Sequence, residues 1–147
     1  MKKLVDANIG LRILLGDKDI AAITNPVQTA AMVTKVEETR KLVRQVEDGK
    51  LVLIFEDEVV EEMIFVMQKI YKVPRQDISE LILDLIEADG VEASKLIKDA
   101  LRIYAVKNLD IVDIKLYLRI KSLEYPYLLG TVISGNLMTA NITRLAI

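Results

Sequence analysis

The stretch that decides the fold is LVLIFEDEVVEEMIF, residues 51–65. Its first five residues form a continuous apolar run, which is typical of a strand buried in a parallel sheet. Asp57 and Glu58 follow directly, where the N-terminus of a helix favours negative charge. Apolar residues then recur at helical spacing to about Tyr71, shortly before Pro74. The stretch therefore predicts a β-strand followed by an α-helix.

The N-terminal third has the same order of elements. Residues 3–7 read as a short strand, after which Asn8 is placed to cap a helix over residues 9–15 that ends at Gly16. Asn25-Pro26 signals the start of a long helix that reaches about Asp48. Its middle is weakened by two threonines, so that two shorter helices remain an alternative.

The C-terminal half adds further helices. Asp77 to Glu80 resembles a capping box, and the helix that it opens stops near Gly90. Residues 93–106 form the next predicted helix. Asn108 can cap the following element, whose residues fit a helix to about position 123 and also alternate as in a strand; its length and the cap favour the helix. Pro126 ends it, and residues 130–134 are a candidate strand.

Short apolar strands that alternate with helices predict a parallel sheet with helices on both faces. With 147 residues, no repeat and no linker, the chain is expected to form a single domain over residues 1–147. The predicted fold class is α/β, a three-layer α/β/α sandwich with a central parallel sheet.

The amino-acid composition limits the kinds of active site that the chain can form. The chain has no cysteine and no histidine, which excludes thiol nucleophiles, zinc–cysteine clusters and Ser-His-Asp triads. Carboxylates without histidine favour hard cations such as Mg²⁺ or Mn²⁺. A net charge of −2 gives no general attraction to nucleic acid or to an anionic membrane. The first apolar run is interrupted by Asp6 and Arg12, so we expect no signal peptide, no membrane span and a cytoplasmic location.

Acidic residues stand at three predicted helix starts. Asp6 ends the first strand and is followed by Asn8. Glu62 lies one turn into the helix that follows the apolar strand 51–55, and Asp110 and Asp113 share a helix face. Each has an alternative reading as a helix cap or a helix-dipole residue. Together, they are predicted to meet at the carboxyl edge of the sheet, where a divalent cation would neutralise them.

Three segments resemble motifs of the PIN domain family, which includes VapC-type toxin ribonucleases. KLVDANIGLRILL (3–15) looks like its opening motif, and VVEEMIFVMQKIY (59–71) is similar to the second, with Glu62 as the acid. Its neighbour Glu61 is predicted to be solvated. ALRIYAVKNLDIVDIKLYL (100–118) resembles the third motif, with Asp113 as the principal acid.

The resemblance implies a metal-dependent endoribonuclease with Mg²⁺ or Mn²⁺ as cofactor. In such a site Asp6, Glu62 and Asp113 would hold the metal, and a metal-bound water would attack an RNA phosphodiester. Asn8 and Asp110 would be accessory residues. Three basic residues are candidates for guiding the RNA backbone, with solvated helix faces as the alternative: Arg12, Lys115 and Arg119.

The C-terminal tail departs from the family pattern. No acidic residue follows Glu124, although PIN domains usually carry a fourth site acid in this segment. The alternatives are a degenerate member with a weakened site, neutral ligands such as Asn136 or Asn141, or a reading-frame slip at residues 130–134.

Three functions therefore compete. The first is a ribonuclease, acting as the toxin of a toxin–antitoxin pair with a protein antitoxin as partner. The second is a catalytically silent PIN-like module that binds RNA or has a structural role. The third is an acidic-cleft phosphatase or exonuclease. Apolar helices also predict a homodimer.

Overall fold

The computed structural model of the chain describes residues 1–22 and 26–123, with side chains there except at 17–22, 26–29, 32 and 123. Three short strands and six helices lie in these ranges. In chain order they are β1 (Lys2–Leu4), α1 (Ala7–Ala22), α2 (Pro26–Glu47), β2 (Val52–Phe55), α3 (Asp57–Lys69), α4 (Arg75–Ile86), β3 (Val91–Ala93), α5 (Lys95–Val106) and α6 (Ile111–Leu123).

The strands form one parallel sheet in the order β1-β2-β3. Leu4 is in register with Ile54, and Ile54 with Glu92. Pairing continues one residue past β1, because the Val5 N–H donates to the Ile54 carbonyl at 3.0 Å. The central strand is the predicted apolar run, and its parallel pairing is as expected from that run.

The prediction of a three-layer α/β/α sandwich is wrong. The described residues are mostly helical, and the sheet consists of strands of only three or four residues. Strands this short offer little surface for two covering layers of helices. The helices pack largely against each other instead, with the α4–α5, α5–α6 and α1–α2 pairs in the most extensive contact. The candidate strand at 130–134 lies outside the described residues.

The core lies between the sheet and α3, α4 and α5. Its residues recur three or four positions apart along each helix, which is the spacing that places them on one face. Residues with essentially no exposed surface include Phe55, Val60, Met63, Met67, Ile78, Ile82, Ile86, Ile97, Ala100, Leu101, Tyr104 and Ile114.

Gly10 brings α1 unusually close to this core. A Cβ at this position would lie 2.6 Å from the sulfur of Met63 and 3.0 Å from the ring of Phe55. A methyl group here would require the flexible end of the Met63 side chain to shift and would press on the Phe55 ring. The absent side chain therefore lets α1 rest directly on β2 and α3.

The start of α1 differs from the prediction. Asp6, not Asn8, caps the helix, because its Oδ1 accepts a hydrogen bond from the Ile9 N–H at 2.9 Å. Asn8 is an exposed residue of the first turn, and Gly16 lies inside the helix rather than at its end. Asp6 stands directly before the first helical residue, where an N-cap must lie, whereas Asn8 is already the second residue of the helix.

Other helix boundaries also move. Pro74, not Asp77, is the N-cap of α4, and Asp110, not Asn108, bonds to the first turn of α6 through the Val112 N–H at 2.8 Å. The predicted helix over 93–106 begins only at Lys95, after the unpredicted strand β3. The helical interpretation of α6 is confirmed.

The long helix α2 is continuous. Thr34 and Thr39 do not divide it, since their hydroxyls donate to the carbonyls of Ala30 and Lys35 one turn earlier. Pro26 is its first residue, as predicted, and Asn25 lies outside the described residues.

Candidate functional site

Polar residues follow the carboxyl ends of all three strands. Asp6 comes directly after the pairing of β1, Asp57 opens the helix after β2, and Ser94 follows β3. The carboxyl ends of neighbouring parallel strands meet at one edge of a sheet, which we call the carboxyl edge. Ser94 connects two of these elements: its hydroxyl donates to Asp57 Oδ1 at 2.6 Å and accepts from the Ile97 N–H at 3.0 Å.

A lysine from α6 reaches into the first turns of α3. The Nζ of Lys115 lies 2.5 Å from Glu61 Oε1 and 3.7 Å from Asp57 Oδ2. The three side chains are only 10%, 19% and 14% exposed. Glu61 Oε1 accepts no hydrogen bond of ordinary geometry from the described residues, so the contact is an ion pair. The ammonium offsets one of the two negative charges and joins the start of α6 to the start of α3.

The two adjacent acids of α3 have opposite environments. Glu61, which was predicted to be solvated, is the half-buried member held by Lys115, so that prediction is wrong. Glu62 is exposed. Within the described part of the chain, Glu62 has neither a hydrogen bond nor an ion pair. It is therefore available to a ligand at no cost to the fold.

The acids of α6 also differ from each other. Asp110 precedes the helix, and its Oδ1 is bonded to the Val112 N–H. Asp113 lies in the first turn, is exposed, and has no partner among the described residues. Asp6 and Asp110 thus have the capping roles that were their alternative reading, whereas Asp113 and Glu62 have none.

The predicted metal ligands do not converge. Within residues 1–22 and 26–123, no three acidic side chains come close enough together to hold one ion. The Asp6 carboxylate is turned towards the first turn of its own helix, and the two carboxylates that Lys115 contacts, those of Glu61 and Asp57, share its single positive charge. The described residues therefore do not fit a preformed Mg²⁺ or Mn²⁺ centre.

The three predicted RNA-guiding residues are dispersed. Lys115 is buried in the ion pairs with α3, so it is neither a solvated surface residue nor positioned to meet RNA. Arg119 is exposed on the same helix. Arg12 is half-buried on α1, where it lines a cavity.

A second cavity adjoins the carboxyl-edge acids. It has a volume of about 400 Å³ and lies between α3, the end of α5 and the start of α6. Arg75 fixes one wall: its guanidinium lies 3.8 Å from the ring centroid of Tyr104 and donates to the carbonyls of Tyr104, Lys107 and Leu109 at 3.3, 2.9 and 2.7 Å. These contacts hold residues 107–109 in place.

The hydroxyl of Tyr104 has a raised pKa. Burial raises the pKa of its hydroxyl above the usual value of 10.0; the positive charge of Arg75 lowers it and the carboxylate of Asp110 raises it further. The hydroxyl has no hydrogen-bond partner among the described residues. The phenol is therefore neutral well above physiological pH.

Sequence reasoning missed Arg75 and Lys115 as organising residues. Their partners lie far away along the chain, so no local pattern marks them. The only available signal was positional, since Lys115 shares the third motif segment with Asp113.

Comparison of the chain with protein-family models, with curated proteins and with solved structures gives no match. The resemblance to PIN domains thus depends on the three motif segments alone. Across the described ranges, no helix has the length and apolar character needed to cross a membrane.

Proposed function

We propose that the chain is a divalent-cation-dependent endoribonuclease of the PIN class whose site contains Asp6, Glu62 and Asp113. One observation carries the proposal. The helices that bear these acids begin at the same edge: α1 and α3 follow neighbouring parallel strands, and Lys115 ties the start of α6 to that of α3. All three side chains are exposed there.

The charges at this edge support a cation. Exposed carboxylates repel a phosphodiester, and no arginine or lysine among the described residues pairs with Glu62 or Asp113. A divalent ion would reverse that repulsion, and oxygen ligands suit Mg²⁺ or Mn²⁺. The structure does not gather the three acids in advance. In this proposal, RNA therefore binds and is cleaved only when the divalent ion is present.

The chain's own side chains have separate tasks in this proposal. Glu62 and Asp113 have no internal partner and face the substrate side. Asp6 keeps Oδ2 free while its Oδ1 holds the first turn of α1. Lys115 keeps α3 and α6 together without contacting RNA.

The experiment measures Mn²⁺ binding by calorimetry and cleavage of a fluorescent single-stranded RNA by the whole chain. Asp6→Asn, Glu62→Gln and Asp113→Asn are expected to weaken Mn²⁺ binding and to abolish cleavage. Asparagine still caps a helix, so Asp6→Asn preserves the start of α1. The matched control is Glu58→Gln, an exposed acid one turn before Glu62 on α3. Equal activity in all four variants would refute the proposal.

A second candidate is a catalytically silent module that binds RNA or has a structural role. It is favoured by the lack of a converged three-acid group in the described residues and by the acid-free tail. RNA binding that neither needs Mn²⁺ nor responds to the three substitutions would support it over the ribonuclease.

The partners and location belong to the same proposal. A toxin role requires a protein antitoxin and a cytoplasmic site of action. A homodimer is supported by exposed apolar side chains on the described surface, among them Phe65 at 58%, Ile70 at 66% and Val106 at 77%. Light scattering of the purified chain tests the dimer, and a monomeric mass at micromolar concentration would contradict it.

A further inference from the structure

A cavity of about 590 Å³ lies between α1 and α2, remote in sequence from the acids of α3 and α6. Its wall is partly apolar, with contributions from Leu15, Gly16 and Val36. Thr39 also lines it, but its hydroxyl is committed to the Lys35 carbonyl. The volume falls within the range of roughly 300–1,000 Å³ that is typical of small-molecule sites.

Positive charge surrounds this cavity. Three arginines line it, Arg12, Arg40 and Arg44, against a single acid, Glu47. Arg40 is paired with Glu37, whose Oε1 lies 2.7 Å from its guanidinium. Arg12 and Arg44 have no hydrogen bond or ion pair with any described residue.

An unpaired arginine in a partly enclosed place calls for an anion. Arg12 is half-buried, and any part of its guanidinium that is shielded from water without a partner costs free energy. Its planar fork of N–H donors matches the oxygens of phosphate, which can be bound by two parallel hydrogen bonds. Arg12 on α1 and Arg44 on α2 line the same cavity from different helices.

We propose that this cavity binds a nucleotide through its phosphate group, with Arg12 and Arg44 on the phosphate and the apolar wall against the sugar and base. The ligand is either a free mononucleotide or one nucleotide of an RNA strand, since both present the same phosphate chemistry. The inference is independent of the proposed ribonuclease site, because it uses none of that site's acids.

The cavity and the carboxyl edge share one helix. Arg12 lies six residues after Asp6, or about 9 Å along the axis of α1 at 1.5 Å per residue. At 3.6 residues per turn, the two side chains leave the axis about 120° apart, so an RNA strand that contacts both has to pass partly around α1. RNA is therefore one of the two phosphate sources that the test compares.

The test is calorimetric titration of the full chain with inorganic phosphate, AMP and a short single-stranded RNA. Arg12→Gln and Arg44→Gln are each expected to weaken AMP binding by roughly tenfold or more. The matched control is Lys41→Gln, which removes an exposed positive charge from α2 without touching the cavity. Its affinity for AMP should stay within about twofold of the parent, and thermal unfolding confirms that each variant is folded.

The probes separate the two sources of phosphate. AMP binding as tight as RNA binding identifies a free nucleotide, and much tighter RNA binding that both arginine variants weaken identifies an RNA strand. The proposal is overturned if no phosphate-bearing probe binds at millimolar concentration, or if Lys41→Gln weakens binding as much as the arginine variants. Since no acid of the carboxyl edge is altered, failure here leaves the Mn²⁺ result unaffected.

Discussion

The core residues of two regions of the molecule are buried to different degrees. In the body, which we define as residues 51–123, buried residues such as Phe55, Ile82 and Leu101 are at most 1% exposed. In the α1–α2 pair, Leu11 and Val46 are 8% and 9% exposed, and the large arginine-lined cavity lies between the helices. The most completely buried residues thus lie in the body, although both regions border a cavity, of about 400 Å³ in the body and about 590 Å³ between α1 and α2.

The positively charged side chains of the two regions also differ, in the number of internal partners that they contact. In the body, Arg75 donates to three carbonyls and Lys115 contacts two carboxylates. In the α1–α2 pair, Arg12 and Arg44 have no partner among the described residues. A charge with several internal partners stabilises a fold, and an unpartnered charge beside a cavity is free to bind a ligand.

The largest expected loss of stability comes from truncating a core residue of the body. Ile82→Ala should lower the free energy of unfolding by about 4 kcal/mol, because the tightly packed surroundings cannot collapse onto the deleted atoms. Leu15→Ala, next to the α1–α2 cavity, should lower it by only about 2 kcal/mol. Urea denaturation measures both. Equal losses would show that the two regions are packed alike.

Arg75→Met should follow, with a loss of about 3 kcal/mol, since three carbonyls lose a charged donor and Tyr104 loses its stacked guanidinium. Arg102→Met is the control. Arg102 pairs only with exposed Glu87 and Asp99, so its loss should stay below about 1 kcal/mol. A similar loss in both variants would remove the distinction between internal and surface charges.

Lys115→Met should cost about 2 kcal/mol, because Glu61 and Asp57 would remain close together without a cation. Adding Glu61→Gln should restore part of the loss, as it removes one of the repelling charges. Thermal unfolding of the single and double variants tests this. A double variant less stable than Lys115→Met would contradict the ion-pair account.

A smaller effect should appear at alkaline pH. The folded-state pKa of Tyr104 is raised, so above about pH 10 the unfolded chain loses this proton while the folded chain keeps it. The contribution of Tyr104 to the free energy of unfolding is fully present below that pH and is lost as the pH rises further. Tyr104→Phe should reduce the fall, as measured by urea denaturation between neutral and alkaline pH. An identical fall in parent and variant would argue against the shift.

The smallest effect is expected at the cavity. Arg44→Gln should change the free energy of unfolding by less than about 0.5 kcal/mol, because the side chain is exposed and has no internal partner to lose. Chemical denaturation at low and high salt tests this. A loss comparable to that of Arg75→Met would assign Arg44 a structural role.

Local patterns in the sequence predicted much of the fold. The apolar run 51–55 gave the central strand, and the spacing of apolar residues gave the helices α3 to α6 within a few positions. Strand β3 was missed because Val91–Ala93 is too short for any periodicity. The overall layering was wrong because strand length and helix–helix packing depend on contacts that no local pattern records.

For the candidate site, the sequence predicted which acids stand near helix starts but not how they are used. Choosing between Glu61 and Glu62 required the position of Lys115, which is far away in the chain. Asp6 lies two residues past the end of β1 rather than within the predicted strand 3–7, and its hydrogen bond to Ile9 favours the capping role that was the alternative. Convergence of the acids is a property of tertiary structure, so spacing alone overstated it.

The close contact at Gly10 lies between the two proposed sites, on the helix that they share. Since α1 rests on Met63 and Phe55 at this point, the depth of the helix is set by the core of the body. Asp6 stands before this contact and Arg12 after it, on one rigid helix. Any change in the depth of α1 at position 10 would move both residues together.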